Sequence, residues 1–256
     1  MNVLVTGGTG TLGRHVVTLL RQSGHRARIF TRRPRGHVDA VEGDLKTGAG
    51  FDRALAGIEV IVHAASATTQ PLRGRSTDVD GTRRLLERAA AAGIAHIVFV
   101  SIVGIDRVEY PYYKTKLATE DVVRENAVPW SILRATQFHQ FVDFLLQRFS
   151  RVPRLTAVPF AWRLQPVEVT EVARRLVDLA LAAPTHTSED FGGPEVRDLK
   201  SLAGAWLAAR ADKRRLVNLN IPLKFNAQIA AGGLLCEDHT QGKVTFDDYL
   251  AERYPR

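Results

Sequence analysis

The chain has 256 residues, 45% hydrophobic and 24% charged, an ordinary composition for one globular domain with or without an appended lobe. A net charge of +8 raises the question of nucleic acid, but much of it concentrates in one short arginine-rich segment near the N-terminus, and no nucleic-acid partner is expected. The single Cys236 allows no internal disulfide, no charged-then-apolar leader is visible, and no apolar run approaches the roughly 18 residues of a membrane span, so a cytoplasmic protein without a membrane partner, monomeric or homodimeric, is expected.

The run Val3-Leu4-Val5 predicts a strand ending at Thr6, and Val16, Val17, Leu19 and Leu20 predict a helix over Leu12–Ser23. Between them lie Gly7, Gly10 and Gly13. Residues without Cβ let the backbone turn sharply and approach a pyrophosphate, while the free N–H groups of a helix start face its negative charge. Strand, glycine turn and helix together read as the entrance of a dinucleotide-binding fold.

A second strand follows over Ala27–Thr31. A site for NAD commonly carries a carboxylate at the end of this strand to accept the ribose 2′-hydroxyl; here Arg32-Arg33-Pro34 stands in that place. A guanidinium grips a 2′-phosphate that a carboxylate would repel, so NADP(H) is expected over NAD(H), with Arg32 ranked before Arg33 and at least one of the two a surface side chain. Six arginines lie between Arg21 and Arg35 without one Asp or Glu, and Arg21, Arg26 and Arg35 read as a solvated basic face. Past a short third strand, Gly43-Asp44-Leu45 reads equally as a carboxylate near the adenine amino group or as a simple turn.

The β-α beat continues with a strand over Val60–Ala64, a helix near Thr82–Ala92, strand Ile97–Val100, helix Pro111–Asn126 and strand Trp130–Leu133. Short, nearly all-apolar strands alternating with helices predict an α/β fold, a Rossmann-like doubly wound parallel sheet with ligands at the strands' C-terminal ends. After about residue 135 the beat fades, and the division expected is a dinucleotide-binding domain over 1–135 and a smaller substrate lobe over 136–256, with helices near Thr170–Ala182 and Leu199–Arg210. Phe138, Phe141, Phe144, Phe160 and Trp162 in this lobe read either as core or as an apolar pocket wall. His63, His139 and Cys236 lack metal-ligand spacing, and no metal is expected.

Tyr112 and Lys116 are four apart and share one helical face, where an ammonium beside a phenol favours phenolate and brings the tyrosine toward useful acid–base chemistry. Tyr110 and Lys114 have the same spacing, but Pro111 pushes Tyr110 toward extended backbone and itself suits a first helical turn.

Several separated stretches resemble the short-chain dehydrogenase/reductase superfamily, in its atypical, NmrA-like branch. They are Thr6-Gly7-Gly8-Thr9-Gly10-Thr11-Leu12-Gly13, Val62-His63-Ala64-Ala65, Asp78-Val79-Asp80-Gly81-Thr82, Val98-Phe99-Val100-Ser101, Tyr112-Tyr113-Lys114-Thr115-Lys116 and Ile132-Leu133-Arg134-Ala135. The resemblance implies cofactor contacts from Gly7, Thr9, Gly10, Thr11, Leu12, Gly13, Ala64 and Ala65. It implies that Lys116 binds the nicotinamide ribose, that Tyr112 relays a proton and that Ser101 is the assisting hydroxyl, though Ser101 stands about one position early. The activity implied is hydride transfer between NADP(H) and a small, largely apolar carbonyl or quinone-like compound. Two other activities occur on the same resemblance: an NmrA-like NADP(H)-sensing regulator without turnover, and an epimerase or dehydratase that retains its cofactor.

Overall fold

A computed structural model describes residues 1–67, 75–220 and 222–255. In chain order the elements are β1 (Asn2–Thr6), α1 (Gly13–Gln22), β2 (Arg26–Thr31), β3 (Ala40–Glu42), α2 (Phe51–Leu55), β4 (Val60–His63), α3 (Arg75–Ala91), β5 (His96–Ile102), α4 (Pro111–Arg124) and β6 (Trp130–Ala135). Then come α5 (His139–Phe149), β7 (Leu155–Val158), β8 (Arg163–Leu164), α6 (Val169–Leu181), β9 (Ser188–Phe191), β10 (Arg197–Asp198), α7 (Leu199–Ala209), β11 (Arg215–Asn218), α8 (Lys224–Ala230) and α9 (Phe246–Arg253).

Seven strands form one sheet in the order β3-β2-β1-β4-β5-β6-β9, and β3–β2, β2–β1, β1–β4 and β4–β5 pair in parallel. This is the doubly wound Rossmann-like order, in which the direction of strand addition reverses between β1 and β4 and opens a ligand crevice beyond the strands' C-terminal ends. Register sets Thr6 beside both Phe30 and His63, and His63 beside Phe99, so β1 and β4 end level with one another while β2 runs one residue farther and β5 continues to Ile102. All four residues of β4 are buried, the pattern of a strand covered on both faces. Leu4, Phe30, Ile61, Leu85, Ile97, Phe99 and Ile132 belong to one buried cluster against this sheet.

Helix α3 begins at Arg75, well before the expected Thr82. Its first buried positions are Asp78, Val79, Gly81 and Thr82, of which only Val79 is a large apolar residue, so a sustained apolar period starts only at Leu85. Gly81 sits mid-helix because a Cβ there would lie 2.7 Å from the Leu45 carbonyl oxygen. The polar edge strand β9 and the single turn α2 carried no period that sequence reading could use.

Chain contacts define two compact units, Met1–Ser101 with Pro111–Arg134 and Thr170–Glu189, and Ile102–Tyr110 with Ala135–Val169 and Asp190–Arg256. Each unit is made of three separate segments, and α6 with the start of β9 belongs to the first. In the second unit, the buried Asp143 of α5 accepts hydrogen bonds from Trp206 of α7, Tyr249 of α9 and Tyr254. No helix among the described residues is long and apolar enough to cross a membrane.

Candidate cofactor and active site

The glycine turn is packed for close backbone approach. Gly7 has φ +68°, and a Cβ there would stand 2.7 Å from the Ala65 amide nitrogen; at Gly13 it would meet the Gly7 carbonyl oxygen at 2.2 Å. Gly7 thus lets β1 end against the Ala64–Ala65 backbone, and Gly13 lets α1 start against the turn. Thr9, Gly10 and Thr11 are exposed at its tip. Helix α1 has no side-chain cap and no acid in its first turn, and none of the described hydrogen bonds uses the amides of Thr11, Leu12 or Gly13. Open amides at a helix start with no competing carboxylate fit a pyrophosphate.

Below the turn, the buried His63 clasps two strands to a helix. Its Nδ1 lies 2.6 Å from Thr6 Oγ1 and its Nε2 2.8 Å from Thr82 Oγ1. Thr82 gives its own proton to the Asp78 carbonyl, so His63 Nε2–H donates to Thr82, and Nδ1 accepts from Thr6, whose oxygen in turn accepts the Ala65 amide. Both ring nitrogens are used by a neutral imidazole. Burial, with the Lys116 charge adding to it, drives the His63 pKa down to about 3.

Tyr112, on the first turn of α4, has its hydroxyl 3.0 Å from Ser66 Oγ, just past β4. Ser66 donates at 2.7 Å to one oxygen of Asp78, whose other oxygen accepts the Ala67 amide at 2.8 Å. The one Ser66 proton is committed to the carboxylate, so the phenol donates to Ser66. Burial pushes the Tyr112 pKa up to about 12, and the Asp78 charge adds to the rise. The expectation was a phenol lowered by its lysine neighbour; burial raises it instead, and the group that opposes the rise is the hydrogen-bonded Ser66.

Lys116 turns toward β5. Its Nζ donates to the Val100 carbonyl at 2.6 Å and lies 4.1 Å from the centre of the Phe99 ring. Burial lowers its pKa to about 8, against the opposing pull of Asp78 and Glu120. Ser101 is buried, and its Oγ has no partner meeting hydrogen-bond geometry; its dipole helps hold the Glu120 carboxyl below the usual range. On that carboxylate burial acts upward, and Arg134, bound through Nε at 2.9 Å and Nη2 at 2.7 Å, overrides it. The hydroxyl bonded to Tyr112 is therefore that of Ser66, not Ser101. Ser66 and Asp78 were missed as partners; the signal was a serine just after the His63-Ala64-Ala65 stretch and an acid one turn before Thr82.

Arg32 and Arg33 stand exposed where β2 ends, and neither enters a described ion pair. Other arginines of the basic run are structural. Arg21 holds the Ala27 and Val38 carbonyls, and Arg28 reaches the Ala54 and Ala56 carbonyls at the end of α2. Asp44 uses one carboxylate oxygen to accept the Lys46 amide at 2.8 Å, which makes the turn reading the one the structure favours, and Leu45 is buried in the core. The five aromatic residues of the second half divide. Trp162 meets Phe149 and Phe225 edge-on, Phe138 and Phe160 are half-buried, and Phe141 and Phe144 face outward, neither core nor enclosed wall.

The family model described as NAD(P)H-binding matches residues 7–142. The chain belongs to this NAD(P)H-binding family. It is 34% identical to the ceramide reductase of Caulobacter vibrioides over 188 residues, 68% of this chain and 59% of that protein. It is 33% identical over 144 residues to a (4-alkanoyl-5-oxo-2,5-dihydrofuran-3-yl)methyl phosphate reductase of Streptomyces griseus, covering 53% of this chain and 48% of that one. The matched stretch thus spans roughly half to three-fifths of these relatives. In fold, the chain superposes on a short-chain dehydrogenase/reductase superfamily protein of Agrobacterium tumefaciens with bound NAD, at TM-score 0.75, 23% identity, and 98% and 95% coverage of the two chains.

Proposed function

We propose that this chain is an NADP(H)-dependent oxidoreductase that reduces a largely apolar carbonyl or quinone-like compound, working in the cytoplasm, where a lone buried thiol fits a reducing milieu. The observation that carries the reading is the Tyr112 phenol held protonated at the end of the strands, one hydroxyl away from a carboxylate.

The nicotinamide cofactor supplies the hydride when bound. The turn amides of Thr11 to Gly13 would hold its pyrophosphate, Arg32 and then Arg33 would meet the 2′-phosphate, and Lys116 would hold the nicotinamide ribose. Tyr112, protonated at neutral pH, would turn its O–H from Ser66 to the carbonyl oxygen and give up the proton as that oxygen gains charge, and the Ser66 hydroxyl beside it can then donate to the phenolate. At neutral pH the phenol is in its protonated form, the form that the carbonyl-reducing step draws on. Both curated relatives are named as reductases, one for ceramide and one for an alkanoyl-bearing phosphate, and both names are compatible with an apolar substrate.

Mixing the purified protein with NADPH and a panel of ketones, enones and quinones, followed at the absorbance of NADPH, tests the reading. Turnover of at least one compound, lost in Tyr112→Phe with NADPH affinity retained, is the expected result. Tight NADPH binding with no oxidation by any compound removes it in favour of a second reading, an NmrA-like NADP(H) sensor. That reading is favoured by one feature: with Ser101 in the core, the phenol lacks the assisting hydroxyl the family places after β5.

A further inference from the structure

Helix α5 buries His139, Val142, Asp143 and Leu146 on one side and turns Phe141 and Phe144 outward, 48% and 56% exposed. At 100° per residue, Phe141, Phe144 and Arg148 fall on one outward stripe, opposite the buried one. The chain then continues through the exposed Arg151, Val152 and Arg154, with Val152 55% exposed. The backbone amide of Arg215 donates to the Arg154 carbonyl as β11 pairs with β7, which brings another exposed cation to the same edge. Arg148, Arg151 and Arg154 take part in none of the described ion pairs. The only acid between His139 and Val158 is Asp143, and it is buried and saturated by Trp206, Tyr249, Tyr254 and Gln147. Two phenylalanines and a valine are thus presented to solvent along a segment whose exposed arginines enter no described ion pair.

Exposed aromatic rings need an apolar medium, and clustered guanidiniums need phosphate or carboxylate at its border. An anionic phospholipid surface offers both at the right depth, with rings entering at the headgroup level and arginines staying among the phosphates. We infer that the outward stripe of α5, with Val152 and Arg148, Arg151, Arg154 and Arg215, docks this protein peripherally on an anionic membrane surface. The expectation of no membrane partner rested on the lack of a spanning segment, and such a segment is not needed for a chain that lies on the bilayer.

The test is flotation of the purified chain with vesicles of phosphatidylcholine alone and of phosphatidylcholine containing phosphatidylglycerol. The expected result is binding to the second kind, weakened by added salt and absent for the first. Phe141→Ser/Phe144→Ser and Arg148→Glu/Arg151→Glu should each lower partitioning by about tenfold or more, with unchanged melting temperature and NADPH affinity. No flotation overturns the inference, as does binding equal to both vesicle kinds or indifferent to the two double variants. Concentration-dependent dimerisation abolished by Phe141→Ser/Phe144→Ser, without vesicle binding, also overturns it and assigns the face to a second copy of the chain. Unchanged NADPH affinity keeps the outcome separate from the fate of the proposed activity.

Discussion

The Tyr112 hydroxyl lies 3.0 Å from Ser66 Oγ, and through it the phenol is tied to Asp78 on a different helix. Three segments of the chain thereby meet in one relay of two hydrogen bonds. If this contact orients the phenol for proton donation, Ser66→Ala lowers kcat by about tenfold while KM for NADPH holds, and Ser101→Ala leaves kcat within about twofold. Steady-state kinetics on whichever carbonyl compound is turned over decides between the two serines.

Lys116 carries a stability cost with a definite pH window. Its folded pKa of about 8 lies below the unfolded 10.5, so between these values the unfolded chain binds the extra proton and stability rises with pH; below about 8 the cost is fully present. Lys116→Met therefore stabilises the protein at pH 7, by roughly 1–3 kcal/mol, while weakening NADPH binding. Urea unfolding and calorimetry should move in opposite senses; a destabilised variant contradicts this account.

His63 works from the acid side. Its folded pKa of about 3 is below the unfolded 6.5, so the stability of the neutral ring is present above 6.5 and is lost as pH falls toward 3. Between pH 6.5 and 4.5 this one group removes roughly 2–3 kcal/mol. A His63→Gln variant, less stable at pH 7, should show a correspondingly shallower acid slope in denaturant titrations, and a parallel slope would mean that another group carries the effect.

Arg32 and Arg33 are exposed and free of described ion pairs, so their removal is cheap for folding and informative for binding. Arg32→Ser/Arg33→Ser should weaken NADPH by about tenfold or more with little change for NADH, since only the former carries the 2′-phosphate. Isothermal titration of both nucleotides measures the ratio; equal losses would deny the arginines that role.

Asp143 is the buried anchor of the second unit. Asp143→Leu removes the acceptor for Trp206, Tyr249 and Tyr254 and leaves their donors without partners, at a cost of about 3 kcal/mol or more, visible as a lower melting temperature. NADPH affinity should survive as long as the chain is folded.

The sequence alone determined the class of fold and the turn at its entrance. Both rest on local physics: apolar runs with the period of buried strands, and glycines at Gly7 and Gly13 where a Cβ would strike backbone. It also placed Tyr112 and Lys116 on one helix, because spacing of four is a property of the helix itself. What only the tertiary structure decided is which groups surround those side chains. Lys116 turned to Val100 and Phe99, Ser101 sank beside Glu120, Ser66 met the phenol, and Asp44 closed a turn. None of these contacts has a periodic signature, since each joins segments whose separation in the chain is set by loops. The outward Phe141 and Phe144 show the same limit from the other side: periodicity says that a helix has an apolar stripe, but which stripe is buried depends on where Trp206 and the tyrosines of the C-terminal helix dock.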